Sequence, residues 1–288
     1  MIQPLLKPLS AKVLTASAAL CLFAATSSRA DENLFNLVKG SETLPQGHFE
    51  FYQTTDVRAG KDVGYYRGWD LESELEYGFT DKFQASIAIK QHFFDVRGVD
   101  GLDDGNYYQF GGVEGSIKYR FNSVFTDGYG LTFRTEFGFL RHDDVAGLLE
   151  HEIFVAPTLI FQKNYLDDRL IIDFNAGFEL AWGKEPAEQY VKESSLQGGL
   201  GVTYRFAPNW FFGLESNVRS EFPHFGLGNH EHTVVYGGPA LHYSSKNWWA
   251  TFTWGYQIWG HGVDEIASNH TFAEETLHQF ILKIGFNF

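Results

Sequence analysis

Apolar and polar residues alternate with a period of two along most of this chain. The last twelve residues carry the pattern most plainly, because Phe280, Leu282, Ile284, Phe286 and Phe288 fall on one face. The residues between them are mostly small or polar. Strict alternation of this kind predicts β-strands that have one apolar and one polar face.

The alternating segments are separated by turn-forming sequence, and the separating stretches alternate strictly between short and long. Short connections are predicted at 80–82, 122–128, 164–168, 207–209 and 245–247. Longer ones are predicted near 58–64, 95–106, 142–148, 183–193, 222–232 and 260–275. Five short and six long connections join twelve strands and leave both ends of the sheet on the short-turn side.

The segment at 69–79 shows how polar the second face is. Asp70, Glu72, Glu74 and Glu76 occupy alternate positions there, opposite aromatic and aliphatic residues. A soluble sandwich could also turn these carboxylates to water. Aromatic residues, however, form two groups, one beside the short turns and the C-terminus and one toward the long connections. Two belts of aromatic rings are what the two interfaces of a membrane select.

The predicted fold is therefore all-β: a single antiparallel transmembrane β-barrel of about 12 strands, with short periplasmic turns and longer external loops. The barrel is expected over residues 48–288. Its last strand is expected to pair with the first, around 48–57, because an open sheet edge cannot face lipid. Pro157 and Pro239 fall in two less regular strands, where the missing N–H is awkward for a ladder.

The N-terminus predicts export. Lys7 and Lys12 precede an apolar run over 13–25, and Ser28-Arg29-Ala30 suits signal-peptidase cleavage, so residues 1–30 are expected to be a signal peptide. The run of 13 residues is shorter than the roughly 20 that a spanning helix needs. Residues 31–47 have no alternating pattern. They are expected to form a periplasmic N-terminal arm, or to be tucked into the mouth of the barrel.

Charge and cysteine content narrow the function classes. Cys21 is the only cysteine and lies in the predicted signal peptide, so the mature chain is expected to have neither a disulfide nor a cysteine nucleophile. Loss of residues 1–30 removes three basic residues and no acid, which takes the net charge from −14 to −17. A chain this acidic repels nucleic acid, which is therefore not expected as a partner. No cofactor fingerprint is present, and no cofactor is expected.

Two turn sequences carry a family resemblance. Residues 77–83 (Tyr-Gly-Phe-Thr-Asp-Lys-Phe) and 203–210 (Thr-Tyr-Arg-Phe-Ala-Pro-Asn-Trp) resemble the strand-turn-strand signature of uncharacterised Gram-negative outer-membrane barrels of about 12 strands. The final strand resembles the C-terminal targeting strand of such barrels. Some of them are similar to supposed transporters linked to aromatic-degradation pathways. The resemblance implies a place in the cell outer membrane, with outer-membrane lipids and the outer-membrane assembly machinery as partners.

The polar face of the predicted barrel is rich in charge, and its charged residues are the candidate lumen lining. They are Asp70, Glu72, Glu74, Glu76, Lys90, Glu114, Lys118, Arg120, Arg134, Glu136, Asp173, Glu179, Arg205, Glu215, Arg219 and Lys283. Antiparallel register across two short turns predicts three cross-strand neighbours, namely Glu72 with Lys90, Asp70 with His92, and Lys118 with Arg134. These charges either form ion pairs that fill the barrel or line a narrow channel or binding site for a small solute.

Histidine and serine residues raise two further kinds of chemistry, metal binding and lipid hydrolysis. His224, His230 and His232 fall in one predicted external loop and are weak candidates for a surface metal site, although solvated loop residues are the more common explanation of such histidines. An outer-membrane lipid-modifying enzyme would need a serine close to a histidine on one strand end. Here His142 is followed by two aspartates, and neither Ser216 nor Ser220 has a histidine in register. No enzymatic activity is therefore expected, and a structural or adhesive barrel acting through its external loops is the other alternative.

Overall fold

The computed structural model describes residues 33–184, 190–263, 269–272 and 275–288. The predicted signal peptide, residues 1–30, lies outside the described residues. The strands are β1 (Phe49–Ala59), β2 (Tyr65–Thr80), β3 (Phe83–Arg97), β4 (Gly105–Asn122), β5 (Gly130–His142), β6 (Leu149–Tyr165), β7 (Leu170–Lys184), β8 (Tyr190–Ala207), β9 (Trp210–Phe222), β10 (His232–Ser244), β11 (Trp248–Gly262) and β12 (His278–Asn287). A single helical turn, α1 (Val124–Asp127), lies between β4 and β5.

The twelve strands form one closed antiparallel barrel, as predicted. Each strand pairs with its neighbours in sequence, and β1 pairs with β12. At this seam the N–H of Phe49 donates to the carbonyl of Phe288 at 2.9 Å, and the N–H of Phe288 donates back at 3.0 Å. Closure leaves no strand edge exposed, which is what a hydrocarbon solvent requires.

Strand register agrees with the prediction from the short turns. Glu72 is paired with Lys90 and Asp70 with His92 between β2 and β3. Lys118 is paired with Arg134 between β4 and β5. Register matters here because a shift of one residue would turn every charged side chain toward lipid.

The two prolines sit where a ladder is interrupted. Pro157 is paired with Thr135 on one side, while the β6–β7 pairing skips from Val155 to Thr158. In the same way the β10–β11 pairing skips from Gly237 to Ala240 and leaves Pro239 unpaired on that side. Each proline therefore avoids a position that would need its missing N–H.

The barrel is apolar outside and polar inside. Large outward side chains are well exposed, for example Ile87 at 62% and Leu214 at 61%. Inward polar side chains such as Asp173, Thr251 and Gln257 are fully buried. An apolar outer surface with a polar interior is the arrangement that a lipid solvent selects. Among the described residues, no helix is long and apolar enough to cross a membrane.

Candidate functional site

The N-terminal segment, residues 33–46, lies inside the barrel and is called the arm below. Most of its residues are buried, and Val38 and Ser41 are completely so. Its apolar side chains form one cluster with inward residues of β7, β9 and β10: Leu34, Phe35 and Val38 with Ile171, Phe211 and Ala240. The arm also needs space, which glycine provides. A Cβ at Gly201 would stand 2.8 Å from the Phe35 ring.

Glu215 of β9 holds the middle of the arm. Its Oε2 accepts the backbone N–H of Leu37 at 2.6 Å and that of Val38 at 3.2 Å. Its Oε1 accepts the N–H of Asn36 at 3.1 Å and the hydroxyl of Thr253 at 2.5 Å. A carboxylate that accepts several N–H groups is a strong anchor, because bonds to a charged acceptor are about twice as strong as neutral ones.

Other inward amides and hydroxyls bind the arm backbone in the same manner. Asn175 accepts the N–H of Lys39 at 2.7 Å and donates to its carbonyl at 2.9 Å. Gln162 accepts the N–H of Ser41 at 2.9 Å, and Gln84 accepts that of Leu44 at 2.6 Å. The side chains of the barrel thus replace the backbone partners that an irregular buried segment lacks.

Glu42 fastens the arm to the short-turn rim. It pairs with Arg120 of β4 and accepts the hydroxyl of Ser123 at 3.0 Å. It also accepts the backbone N–H of Val124, the first residue of α1, at 3.0 Å. Together with the contacts above, this bonds the arm to inward side chains and to the short-turn rim of the barrel.

Charges fill the middle of the lumen as close pairs. Lys90 lies 2.9 Å from Glu114 and 4.0 Å from Glu72, and Arg134 pairs with Glu136. Tyr52 of β1 donates its hydroxyl to Glu74, and the ammonium of Lys283 lies 4.9 Å from the centre of the Tyr52 ring. Charged side chains in the middle of the lumen are therefore arranged as adjacent ion pairs.

All sixteen candidate lumen residues occupy inward positions of the strand alternation. Those that are nearly inaccessible to water are Glu74, Glu76, Lys118, Arg134, Asp173, Glu215 and Lys283. The others are partly accessible, and Arg219 is the most open, with 45% of its side chain exposed. Asp173 differs from the rest in its surroundings: it is fully buried, and neither of its oxygens has a hydrogen-bond partner in the described part of the chain.

A polar chamber of about 160 Å³ occupies the long-loop end of the lumen. Of the sixteen candidates, only Asp70 and Arg219 line it. Sequence reasoning missed its other charged wall residues, which are Asp56, Arg58, Asp143, Asp144, Glu221 and Glu275. Alternation along β1 could have found Asp56 and Arg58, since both share a face with Glu50 and Tyr52.

The loop between β5 and β6 folds inward over this chamber. Arg58 bridges Asp70, at 2.5 Å, and Asp144 of the loop, at 3.2 Å. The hydroxyl of Tyr66 donates to the carbonyl of Val145 at 2.9 Å, and Val145 packs in a buried apolar cluster. Burial opposes ionisation of Asp144, but Arg58, together with His92, Lys90 and Arg219, outweighs burial and holds the pKa of Asp144 well below its usual range. Burial and the neighbouring Asp144 raise the pKa of Asp143.

The candidate metal-binding histidines do not converge. His224 is exposed, whereas His230 contacts the hydroxyl of Thr233 at 2.7 Å. His232 is buried, and its ring nitrogens lie 3.7 Å from carboxylates of Glu221 and Glu275. In the described part of the chain, no group of three or more His, Cys, Asp or Glu residues is placed to hold a metal ion.

The histidine and serines that a lipid hydrolase would need form hydrogen bonds to other groups and not to each other. A ring nitrogen of His142 lies 2.8 Å from the carbonyl of Phe110. The hydroxyl of Ser216 donates to the carbonyl of Tyr236 at 2.8 Å, and that of Ser220 lies 2.7 Å from the Thr233 hydroxyl. These contacts give the lipid-modifying alternative no support.

Comparison with known proteins agrees with the fold. The COG4313 outer membrane channel from Pseudomonas putida F1 is 11% identical with a TM-score of 0.57, over 86% of this chain and 98% of that one. The NanC porin is 10% identical with a TM-score of 0.50, over 82% of this chain and 97% of that one. Such low identity establishes the fold alone. No curated protein matches the sequence.

The predicted resemblance to outer-membrane barrels of about 12 strands is confirmed by the fold that this chain shares with the COG4313 channel. A family model described only as a family of unknown function, DUF6662, matches residues 27–288. The match includes the whole barrel and the arm, and this chain belongs to that family.

Proposed function

We propose that this protein is a narrow outer-membrane channel for a small polar solute, closed at its periplasmic end by its own arm. The observation that carries the proposal is the division of the lumen. A water-accessible chamber lies at the long-loop end, and the arm is bonded into the short-turn end. Outer-membrane barrels have short periplasmic turns and long external loops, so the chamber faces outward.

The dimensions of the barrel support a selective rather than a general pore. Eight-stranded barrels are filled by side chains, whereas barrels of sixteen or more strands leave a broad aqueous channel. Twelve strands leave room for one extended segment or one small solute, and here the arm takes that room over half the length. Two channel structures share the fold, which fits a transport role.

Transport in this proposal requires the arm to move. The arm is held by hydrogen bonds, by the Glu42–Arg120 ion pair and by the apolar cluster around Phe35 and Val38, and its backbone forms no strand within the barrel sheet. Because the arm lies outside the strand ladder, it can leave the lumen without breaking any strand pairing. The solute would then pass the acidic and basic pairs at mid-lumen, which favour small polar molecules over apolar ones.

Swelling of proteoliposomes tests the proposal. The mature chain, residues 31–288, is reconstituted and exposed to glycine, arabinose or a dextran. We expect slow swelling with the two small solutes, faster swelling for Glu215→Ala, and none with dextran. Glu231→Ala, which removes a carboxylate from the 223–231 connection at the opposite end, serves as the matched control and should behave as wild type.

Swelling would contradict the proposal if wild type, Glu215→Ala and Gly201→Val were all as tight as protein-free liposomes. Gly201→Val displaces Phe35 without removing any carboxylate. A uniformly impermeable barrel would instead favour a structural or adhesive role for the external loops.

A further inference from the structure

Three residues that line the chamber each carry a buried polar atom without a hydrogen-bond partner in the described part of the chain. Arg58 is only 5% exposed, yet its Nε makes no hydrogen bond in the described part of the chain. Asp56 Oδ1 and Asn217 Oδ1 are likewise buried without a partner there. All three residues line the same cavity. Buried polar atoms are nearly always satisfied, so one donor and two acceptors around one cavity point to a molecule that supplies the complement.

The charge of the walls selects the sign of that molecule. Six carboxylates and two guanidinium groups line the chamber. Both guanidinium groups are already engaged, Arg58 by Asp70 and Asp144 and Arg219 by Glu221. The walls therefore keep an excess of negative charge, which concentrates cations in a cleft with low-dielectric walls.

The volume of the chamber limits the size of the molecule. A cavity of about 150 Å³ holds a molecule as large as benzene, and the chamber measures about 160 Å³. It therefore suits an organic molecule of about six to ten non-hydrogen atoms better than a polymer or a bare ion. A bare divalent ion is also disfavoured because, in the described residues, no three acidic or histidine side chains converge on one point.

We propose that the chamber binds a small organic cation that also carries an acceptor, such as a basic amino acid. Its ammonium group would lie among the chamber carboxylates beside Asp56 and Asn217, and its carboxylate or hydroxyl would lie beside Arg58. This assignment rests on the proposed channel function and names the class of solute that the channel would admit.

Calorimetric titration of the mature chain in detergent micelles tests the assignment, with L-lysine, L-glutamate and magnesium chloride as probes. We expect one L-lysine per barrel, no heat of binding for L-glutamate, and no competition from magnesium at equal concentration. Equal binding of both amino acids, or displacement of L-lysine by equimolar magnesium, would overturn the assignment. So would the absence of L-lysine binding.

Three isosteric variants sharpen the test. Asp56→Asn should weaken L-lysine binding about tenfold or more, the scale of a lost bond to a charged group. Asn217→Asp adds a carboxylate at the same wall and should tighten binding. Asp103→Asn makes the same change as Asp56→Asn on an exposed loop at the same end and should have no effect. Equal affinities for all three would overturn the assignment.

Solute flux separates this assignment from the channel proposal. Glycine and arabinose swelling that persists while L-lysine fails to bind would refute the cation site and leave the channel standing. L-lysine binding to a barrel that passes no solute in any variant would refute the channel and leave a binding barrel.

Discussion

Glu215 Oε2 accepts the backbone N–H of Leu37 at 2.6 Å, although the two residues are 178 positions apart in the sequence. Alternation predicts Glu215 as a lumen-lining carboxylate, and only 3% of the residue is exposed. The bond makes it the principal anchor of the arm. One carboxylate of the inner wall therefore holds the arm inside the lumen.

Loss of the Glu215 carboxylate should expose the arm. In a Ser41→Cys background, where Ser41 is completely buried, we expect slow labelling of the introduced thiol by a membrane-impermeant maleimide. Adding Glu215→Ala should speed labelling at least tenfold, because three bonds to a charged acceptor are each worth about 1.5–3 kcal/mol. Lys246→Cys, in an exposed turn, should label rapidly in both backgrounds. An unchanged labelling rate at position 41 would show that Glu215 does not hold the arm.

Steric displacement of Phe35 provides an independent way to free the arm. Gly201→Val places a side chain where a Cβ already stands 2.8 Å from the Phe35 ring, so the arm should be driven out and the thiol of the Ser41→Cys variant labelled faster. Combining it with Phe35→Ala should give less than the product of the two separate rate increases, because both changes act on one contact. Strictly multiplicative rates would argue that Phe35 and Gly201 are not in contact.

The seam between β1 and β12 should depend on Phe288. Its ring stacks on Phe49 with centroids 5.8 Å apart, and such pairs add about 0.5–1.5 kcal/mol beyond their buried area. Phe288→Ala should lower the yield of heat-modifiable, folded barrel on gels while the solute flux per folded barrel stays unchanged. Leu214→Ala, on the outer face of β9, is a control for simple loss of apolar surface. Equal yields of folded barrel for the two variants would show that the Phe49–Phe288 contact contributes no more to assembly than an ordinary apolar side chain does.

The Arg58–Asp144 contact predicts how the inward loop responds to pH. The pKa of Asp144 is below its usual range in the folded protein, so the contact contributes fully above the unfolded pKa and is lost as pH falls through the folded value. The difference in Tm between wild type and Arg58→Met should therefore be constant from about pH 7 to 5 and shrink below about pH 4. A difference that disappears already at pH 6 would mean that another group controls the loop.

The sequence predicted the barrel well because each strand meets two different environments. Alternation at Phe280 to Phe288 and at Asp70 to Glu76 encodes both the strands and their register, since a shift by one residue would reverse the faces. Register then predicted the neighbours of Lys90 and Arg134.

The segments that fill the lumen were harder to predict, because their sequences show no periodic pattern of apolar and polar residues. Leu34, Phe35 and Val38 are apolar, but only the closed barrel brings them against Ile171 and Phe211. Two placements of the arm were therefore open from the sequence alone, and most residues over 33–44 are buried among inward side chains. The chamber likewise depends on a loop that folds inward, so Arg58 meets Asp144 across 86 residues of sequence.

Single-channel recording in planar bilayers tests the central claim most directly. We expect wild-type barrels to be mostly closed, with brief openings, and Glu215→Ala barrels to show long openings of the same unit conductance. Equal unit conductance is expected because the arm gates the lumen and the mid-lumen pairs set its width. A wild-type barrel that conducts continuously, with the same open time as Glu215→Ala, would contradict closure by the arm.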